Sequence, residues 1–203
     1  MNNIQGLYAK LHKLHGHPSG QWLLWCKRPK TTREREEVII GAMLTQNTNW
    51  RNVAKAMANL KAAGKCSLKM IANPAAFEQV KALIKPSGFY NTKSKYLTGV
   101  ANFFKTIGGV KRAMKLNVGD LRKMLLAQKG VGPETADSIL NYALDMPSFV
   151  IDEYTRRIVR KEKISRSGDY NFLQKLFEKN IQKDFALYQD LHALIVIAGK
   201  ERK

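Results

Sequence analysis

The stretch LLAQKGVGPETADSIL, Leu125 to Leu140, sets two glycines around one valine, then a proline, in the middle of an otherwise helical apolar pattern. Gly130 and Gly132 permit positive φ in a tight hairpin, and Pro133 suits the first position of a new helix, where its missing N–H is not needed. Before the hairpin, Leu121, Met124 and Leu125 recur at helical spacing behind Asn117, a candidate N-cap; after it, Ala136, Ile139, Leu140, Ala143 and Leu144 do the same. The spacing predicts helix, hairpin, helix over residues 118–144. Such a hairpin leaves the N–H groups of Gly130, Gly132 and the new helix start pointing outward, an arrangement suited to a phosphate oxygen. An ordinary turn between two helices would read the same way.

Charge adds a second constraint. The 203 residues include 35 Lys and Arg against 16 Asp and Glu, a formal net charge of +19. An excess of that size attracts polyanions through solvent, so the expected partner is nucleic acid. The charge is spread through a foldable sequence with 44% hydrophobic residues and is not gathered in a tail. The length fits one or two domains with a substantial core. No apolar run reaches the roughly 18 residues of a membrane span, and MNNIQGLYAKLHK lacks the order of a signal peptide. A soluble protein of the cytoplasm or nucleoid, without membrane attachment, is therefore expected. Cys26 and Cys66 are the only cysteines, which excludes a disulfide framework and any cluster or zinc site held by four cysteines of this chain.

Helical periodicity runs almost throughout, with no sustained strand alternation. Leu7, Leu11 and Leu14 mark a first helix, Arg33 to Gln46 a second, and WRNVAKAMANLKAAG a third, opened by Thr48 or Asn49 and closed at Gly64. Further helices are predicted over Met70–Ala72, Phe77–Ile84, Lys93–Ile107, Tyr154–Lys161, Phe172–Asn180 and Phe185–Ala198. NP, KPSG, IGG, MPS and SRSGD provide the breaks.

Past the hairpin, MPSFVIDEYTRRIVRK delivers Asp152 by an apolar approach to the start of a helix bearing Arg156, Arg157, Arg160 and Lys161. Asp is a favoured N-cap, and a cap is the plain reading of Asp152. The combination of GVGPETAD, a helix, and this aspartate, preceded by MLTQNTNW and SGFYNTKSKYL, resembles the helix-hairpin-helix (HhH-GPD) DNA glycosylases of the endonuclease III superfamily. The likeness covers roughly Glu36 to Lys163 in the family's order. It implies an all-α fold of two lobes: a six-helix middle lobe, residues 34–146, and a second lobe from residues 1–33 and 147–203 that carries the catalytic Asp. It further implies a monomer acting on double-stranded DNA that contains a damaged base, gripped by the hairpin and rotated out into a pocket.

Cleaving an N-glycosidic bond develops oxocarbenium charge on the sugar, and a nearby carboxylate stabilises that charge. Asp152 is the candidate; at a helix N-terminus it would stay ionised. The resemblance assigns Gln46 to the gap left by the flipped nucleotide, with Phe89 or Tyr90 as an intercalating wedge. Lys93, Lys95, Lys129, Gly130, Gly132, Thr135 and Arg156 are the expected phosphate contacts.

Two departures refine the reading. Bifunctional relatives carry a lysine two residues after the second hairpin glycine; here that residue is Glu134, which cannot form an imine and is instead a candidate for base recognition. No cysteine follows Cys66, so the four-cysteine iron-sulfur loop of many relatives is not expected, and no metal or other cofactor is. Both features look most like the monofunctional 3-methyladenine DNA glycosylases. Trp22, Trp25 and Trp50 would then line the base pocket, where indoles stack on an alkylated, positively charged purine, although each also suits a core. An endonuclease III-like enzyme for oxidised pyrimidines and a non-catalytic hairpin DNA-binding protein are the alternatives.

Overall fold

Side-chain caps decide where several helices begin. Thr31 accepts the N–H of Glu34 while the Glu34 carboxylate accepts that of Thr31, a reciprocal capping box. Asn49, Ser67, Asn117, Asp152, Asp169 and Asp184 each take a backbone N–H of the turn that follows. The computed structural model describes residues 3–201, and among these there are helices and no strand: α1 (Asn3–His15), α2 (Trp22–Trp25), α3 (Thr32–Leu44), α4 (Trp50–Ala62), α5 (Leu68–Ile71), α6 (Phe77–Leu83), α7 (Tyr90–Thr106), α8 (Val110–Ala113), α9 (Val118–Leu126), α10 (Pro133–Ser138), α11 (Glu153–Lys161), α12 (Tyr170–Asn180) and α13 (Phe185–Lys200). The all-helical expectation is borne out. Residues 1–2 and 202–203, the ends of the expected second lobe, lie outside the described residues.

Two apolar cores form. The first gathers the buried faces of α3 to α10, six longer helices with the single-turn α5 and α8 among them, and includes Trp22 and Trp25 from α2 and Ala193 and Val196 from α13. The second packs α1, α12 and α13 with Phe149, Ile151 and Val159; the rings of Phe149 and Phe177 stack there at 4.3 Å.

Several boundaries differ from the sequence reading. The second helix stops at Leu44 because Asn47 turns left-handed, at φ 50°. The helix expected from Lys93 starts at Tyr90, behind a left-handed Phe89, so Lys93 and Lys95 lie on the helix and not in a turn. The helix after the hairpin loosens into a π turn at Ile139–Ala143. Periodicity missed α2 and α8, each too short to show a period.

The hairpin's glycines do different work. Gly130 has φ +84°, and a Cβ there would lie 2.0 Å from the Tyr96 ring. Gly132, expected to share the positive φ, is instead at φ −90° with open space around it, serving as the N-cap position of α10. Gly130→Ala should therefore cost at least about 2 kcal/mol, from left-handed strain plus the clash. That loss lowers the thermal midpoint by roughly 4–8 °C in a chain of this size. Gly132→Ala should unfold close to the native midpoint, and equal losses in both variants would contradict the assignment.

Candidate active site

A cavity of about 750 Å³ opens where the two cores meet, within the size range of small-molecule pockets. Trp22 and Trp25 of α2, Gln46 and Asn47 after α3, Trp50 and Arg51 of α4, Glu134 of α10, Asp152 ahead of α11, and His192, Val196 and Lys200 of α13 line it. The three indoles form an edge-to-face series, with ring centres 5.9 Å apart for Trp22 and Trp25 and 5.7 Å for Trp25 and Trp50. Trp22 and Trp25 are both core and wall: each is under 9% exposed, and each packs on the buried ring of Tyr142.

Asp152 combines both roles open to it in the sequence. Its Oδ1 caps α11, accepting the N–H of Thr155 at 2.7 Å and its hydroxyl at 3.0 Å. Its Oδ2 faces Nε2 of His192 at 3.5 Å. Burial pushes this carboxyl up, but His192 and the two Thr155 donors outweigh it and hold it below the ordinary aspartate value. Glu134 sits across the cavity, open to the cleft yet ringed by protein; burial, then the negative charge of Asp152, raises it above the ordinary glutamate value. One cleft thus holds two carboxyl groups whose proton affinities are pushed in opposite directions.

The hairpin presents the expected donors. The N–H groups of Gly130, Gly132, Glu134 and Thr135 have no protein acceptor among the described residues. The Thr135 hydroxyl is buried and already accepts from Gln46, whose amide also donates to the Gly130 carbonyl at 2.8 Å. Gln46 therefore ties the α3 end to the hairpin in this conformation. Lys129 and Lys95 are exposed, and Phe89 is 70% exposed with Tyr90 half-buried behind it. Arg156 donates to the Gly168 carbonyl and lies over the Tyr170 ring.

Lys93 is a correction: its ammonium is buried and donates to the carbonyls of Leu44 and Ser87, both at 2.8 Å, so it closes the C-terminal end of α3 and is not a phosphate contact. Sequence reasoning misses His192 and leaves the role of Lys200 open. Inside the apolar run of α13 a lone histidine reads as a core residue; the available signal was the spacing of His192, Val196 and Lys200, four residues apart on one helical face.

With this geometry the chain compares directly with known proteins. The model of the HhH-GPD superfamily base excision DNA repair protein matches residues 40–183. The chain belongs to that family. It is 42% identical over 197 residues, 95% of this chain and 85% of the relative, to a protein of Methanocaldococcus jannaschii named as a DNA repair glycosylase. It is 25% identical over 164 residues to endonuclease III of Escherichia coli, covering 81% of this chain and 73% of that one. The crystal structure of the Helicobacter pylori 3-methyladenine DNA glycosylase bound to 1,N6-ethenoadenine superposes with a TM-score of 0.79 at 29% identity, covering 100% of this chain and 99% of the other. This HhH-GPD protein is accordingly a DNA glycosylase of the superfamily, and the DNA repair and endonuclease III-like expectations hold.

Burial lowers Lys93 from an ordinary value near 10.5 to about 8. The folded state thus binds fewer protons than the unfolded one between those values: the penalty is full below pH 8 and is relieved as pH rises toward 10.5. Urea unfolding of Lys93→Met should lack that component of the rise seen in the native protein, while its affinity for undamaged duplex stays within about twofold. A large loss of affinity at unchanged stability would restore Lys93 to the DNA interface.

Proposed function

We propose that this glycosylase is monofunctional and hydrolyses the N-glycosidic bond of alkylated purines of the 3-methyladenine kind in duplex DNA. The observation that carries the reading is the contrast between the cavity and the rest of the molecule: in a chain of net charge +19, three indoles and the carboxyl groups of Glu134, Asp152 and Glu153 converge on one space, against Arg51 and Lys200. An alkylated purine carries positive charge, so indole faces attract it by stacking and cation–π interaction, and the carboxylates complement it. Such a base is already a good leaving group, and no strong general acid is demanded. What remains is stabilisation of the sugar cation and activation of water, for which Asp152, kept ionised by its donors, is suited.

The rest of the reading follows the same geometry. The free N–H groups of the hairpin would take a phosphate, with Lys129, Lys95 and Arg156 as further backbone contacts that position the duplex without reading its sequence. Phe89 is the candidate wedge, and Gln46 would exchange its hairpin contacts for the orphaned base. Glu134 stands where the resemblance puts the nucleophilic lysine of bifunctional relatives, and a carboxylate cannot open the sugar as an imine. The amine of Lys200, at the cavity wall, is occupied by Gln21 Oε1 at 2.8 Å.

Duplexes carrying a 3-methyladenine-type lesion should lose the base and break only after alkali, with no borohydride-trapped complex. Asp152→Asn should slow release by on the order of a hundredfold or more while lesion binding stays within a few-fold. Release of oxidised pyrimidines with spontaneous nicking would overturn the reading in favour of the endonuclease III type of reaction. Native turnover by Asp152→Asn would leave that residue as a cap alone.

A further inference from the structure

His192 is 4% exposed and sits at the floor of the cavity, between Asp152 and a fully buried tyrosine. Its Nδ1 lies 2.7 Å from the Tyr142 hydroxyl, which is also 3.2 Å from the Gln189 carbonyl. Trp22 meets the imidazole edge-on at 5.9 Å and Phe149 at 6.3 Å, fixing the ring plane. Nε2 is sealed from solvent, has no hydrogen-bond partner of normal geometry, and faces Oδ2 of Asp152 at 3.5 Å. A bare nitrogen lone pair turned on a carboxylate in a dry site would be repulsive and uncompensated.

The hydroxyl of Tyr142 has one proton and two acceptors in reach. If the proton goes to the nearer atom, Nδ1, the neutral ring carries its own proton on Nε2. If it goes to Gln189, Nδ1 donates to the hydroxyl, and Nε2 must bear a second proton to face the carboxylate. Both arrangements put an N–H on Nε2. We propose that His192 is a positioning residue for base excision: backed by Tyr142, it presents Nε2–H to Oδ2 of Asp152 and fixes the orientation in which that carboxylate meets the sugar. The inference rests on the reading of Asp152 as the group that stabilises the sugar cation.

The carboxylate is then held at both oxygens, Oδ1 by the α11 cap and Oδ2 by the imidazole. The cap contacts are short; the 3.5 Å contact is long, as catalytic hydrogen bonds often are before substrate closes the site. The lowered proton affinity of Asp152 agrees with a donor at Oδ2. The other charged residues lining the cavity are Arg51 from α4, Glu134 from α10, Glu153 from α11 and Lys200 from α13; Arg156 of α11 acts on Glu134, and Cys26 and Asp190 lie near Tyr142. Of these, Glu134 opposes ionisation of Asp152 and Lys200 favours it.

Nitrogen-15 spectra of histidine-labelled native protein should show His192 protonated at Nε2 at neutral pH. A bare Nε2 overturns the proposal whether or not any base is released. In single-turnover excision, His192→Phe, which keeps the volume and loses the N–H, should be slower by roughly ten- to a hundredfold with lesion affinity nearly unchanged. Its acid limb should move up by about one pH unit, since a carboxylate without its donor is protonated sooner. His192→Gln, whose amide can offer an N–H, should recover part of both effects. Equal rates and equal acid limbs for the Phe and Gln variants would make His192 a packing residue. If the native protein releases no base, the functional reading fails, while the nitrogen spectra still decide the placement of the proton.

Discussion

One buried carboxylate ties the hairpin to the segment that carries Asp152. Asp137, on α10 and fully shielded from solvent, accepts five hydrogen bonds: two from Arg122 of α9, at 2.7 and 2.9 Å, and one each from Ser148, Tyr170 and Gln174, at 2.6, 2.7 and 2.9 Å. A charge in that position is tolerable only when paired and fully hydrogen-bonded, and removing one partner strands the others. Because the donors come from both apolar cores, the cluster fixes how the cores meet. The same side chains reach further: Gln174 donates to the Phe149 carbonyl at 2.8 Å, and the Tyr170 oxygen lies 3.5 Å from the Ile151 N–H. The extended approach to Asp152 is held by the residues that hold α10.

This arrangement divides labour between charge and shape. The positive excess of the chain supplies long-range attraction to a polyanion, which salt screens and which carries no information about a lesion. The hairpin adds directional N–H groups. The cavity gathers three indoles and three carboxyl groups, with Arg51 and Lys200 also on its wall. A second buried network, in which Asp145 joins Lys30 and Arg35 to Gln189, anchors the end of the π turn beside the cavity and keeps α2, with its two tryptophans, against α3.

The helices were legible because their periods and caps are local: Asn117, Asp152 and the hairpin glycines announce their turns within a few residues. The single turns α2 and α8 are too short for periodicity, and the π turn has no pattern distinct from an α-helix. The site was legible where type and place coincide, as at Asp152, Glu134 and Trp50, whose short-range roles also place them at the cavity. It was not legible where the fold alone decides. Lys93 reads as a surface cation next to exposed Lys95, yet helix phase turns it inward onto two carbonyls. His192 lies forty residues from Asp152 in a run of apolar residues, and only packing of α13 against α11 brings them together. Gly132 shows a subtler limit: two glycines in one hairpin look equivalent, and only one needs a left-handed backbone.

The Asp137 cluster joins the hairpin helix to the Phe149–Ile151 approach that carries Asp152. The most direct measurement compares single-turnover base release with undamaged-duplex affinity in the double variant Tyr170→Phe, Gln174→Leu, at temperatures where it remains folded. These changes spare the Arg122 pair and cut the donors between α12, Asp137 and the Phe149–Ile151 approach. Release should fall by on the order of tenfold to a hundredfold, because a displacement near 1 Å suffices for that loss, while affinity stays within about threefold because the hairpin keeps its own conformation. Release at the native rate would contradict the account.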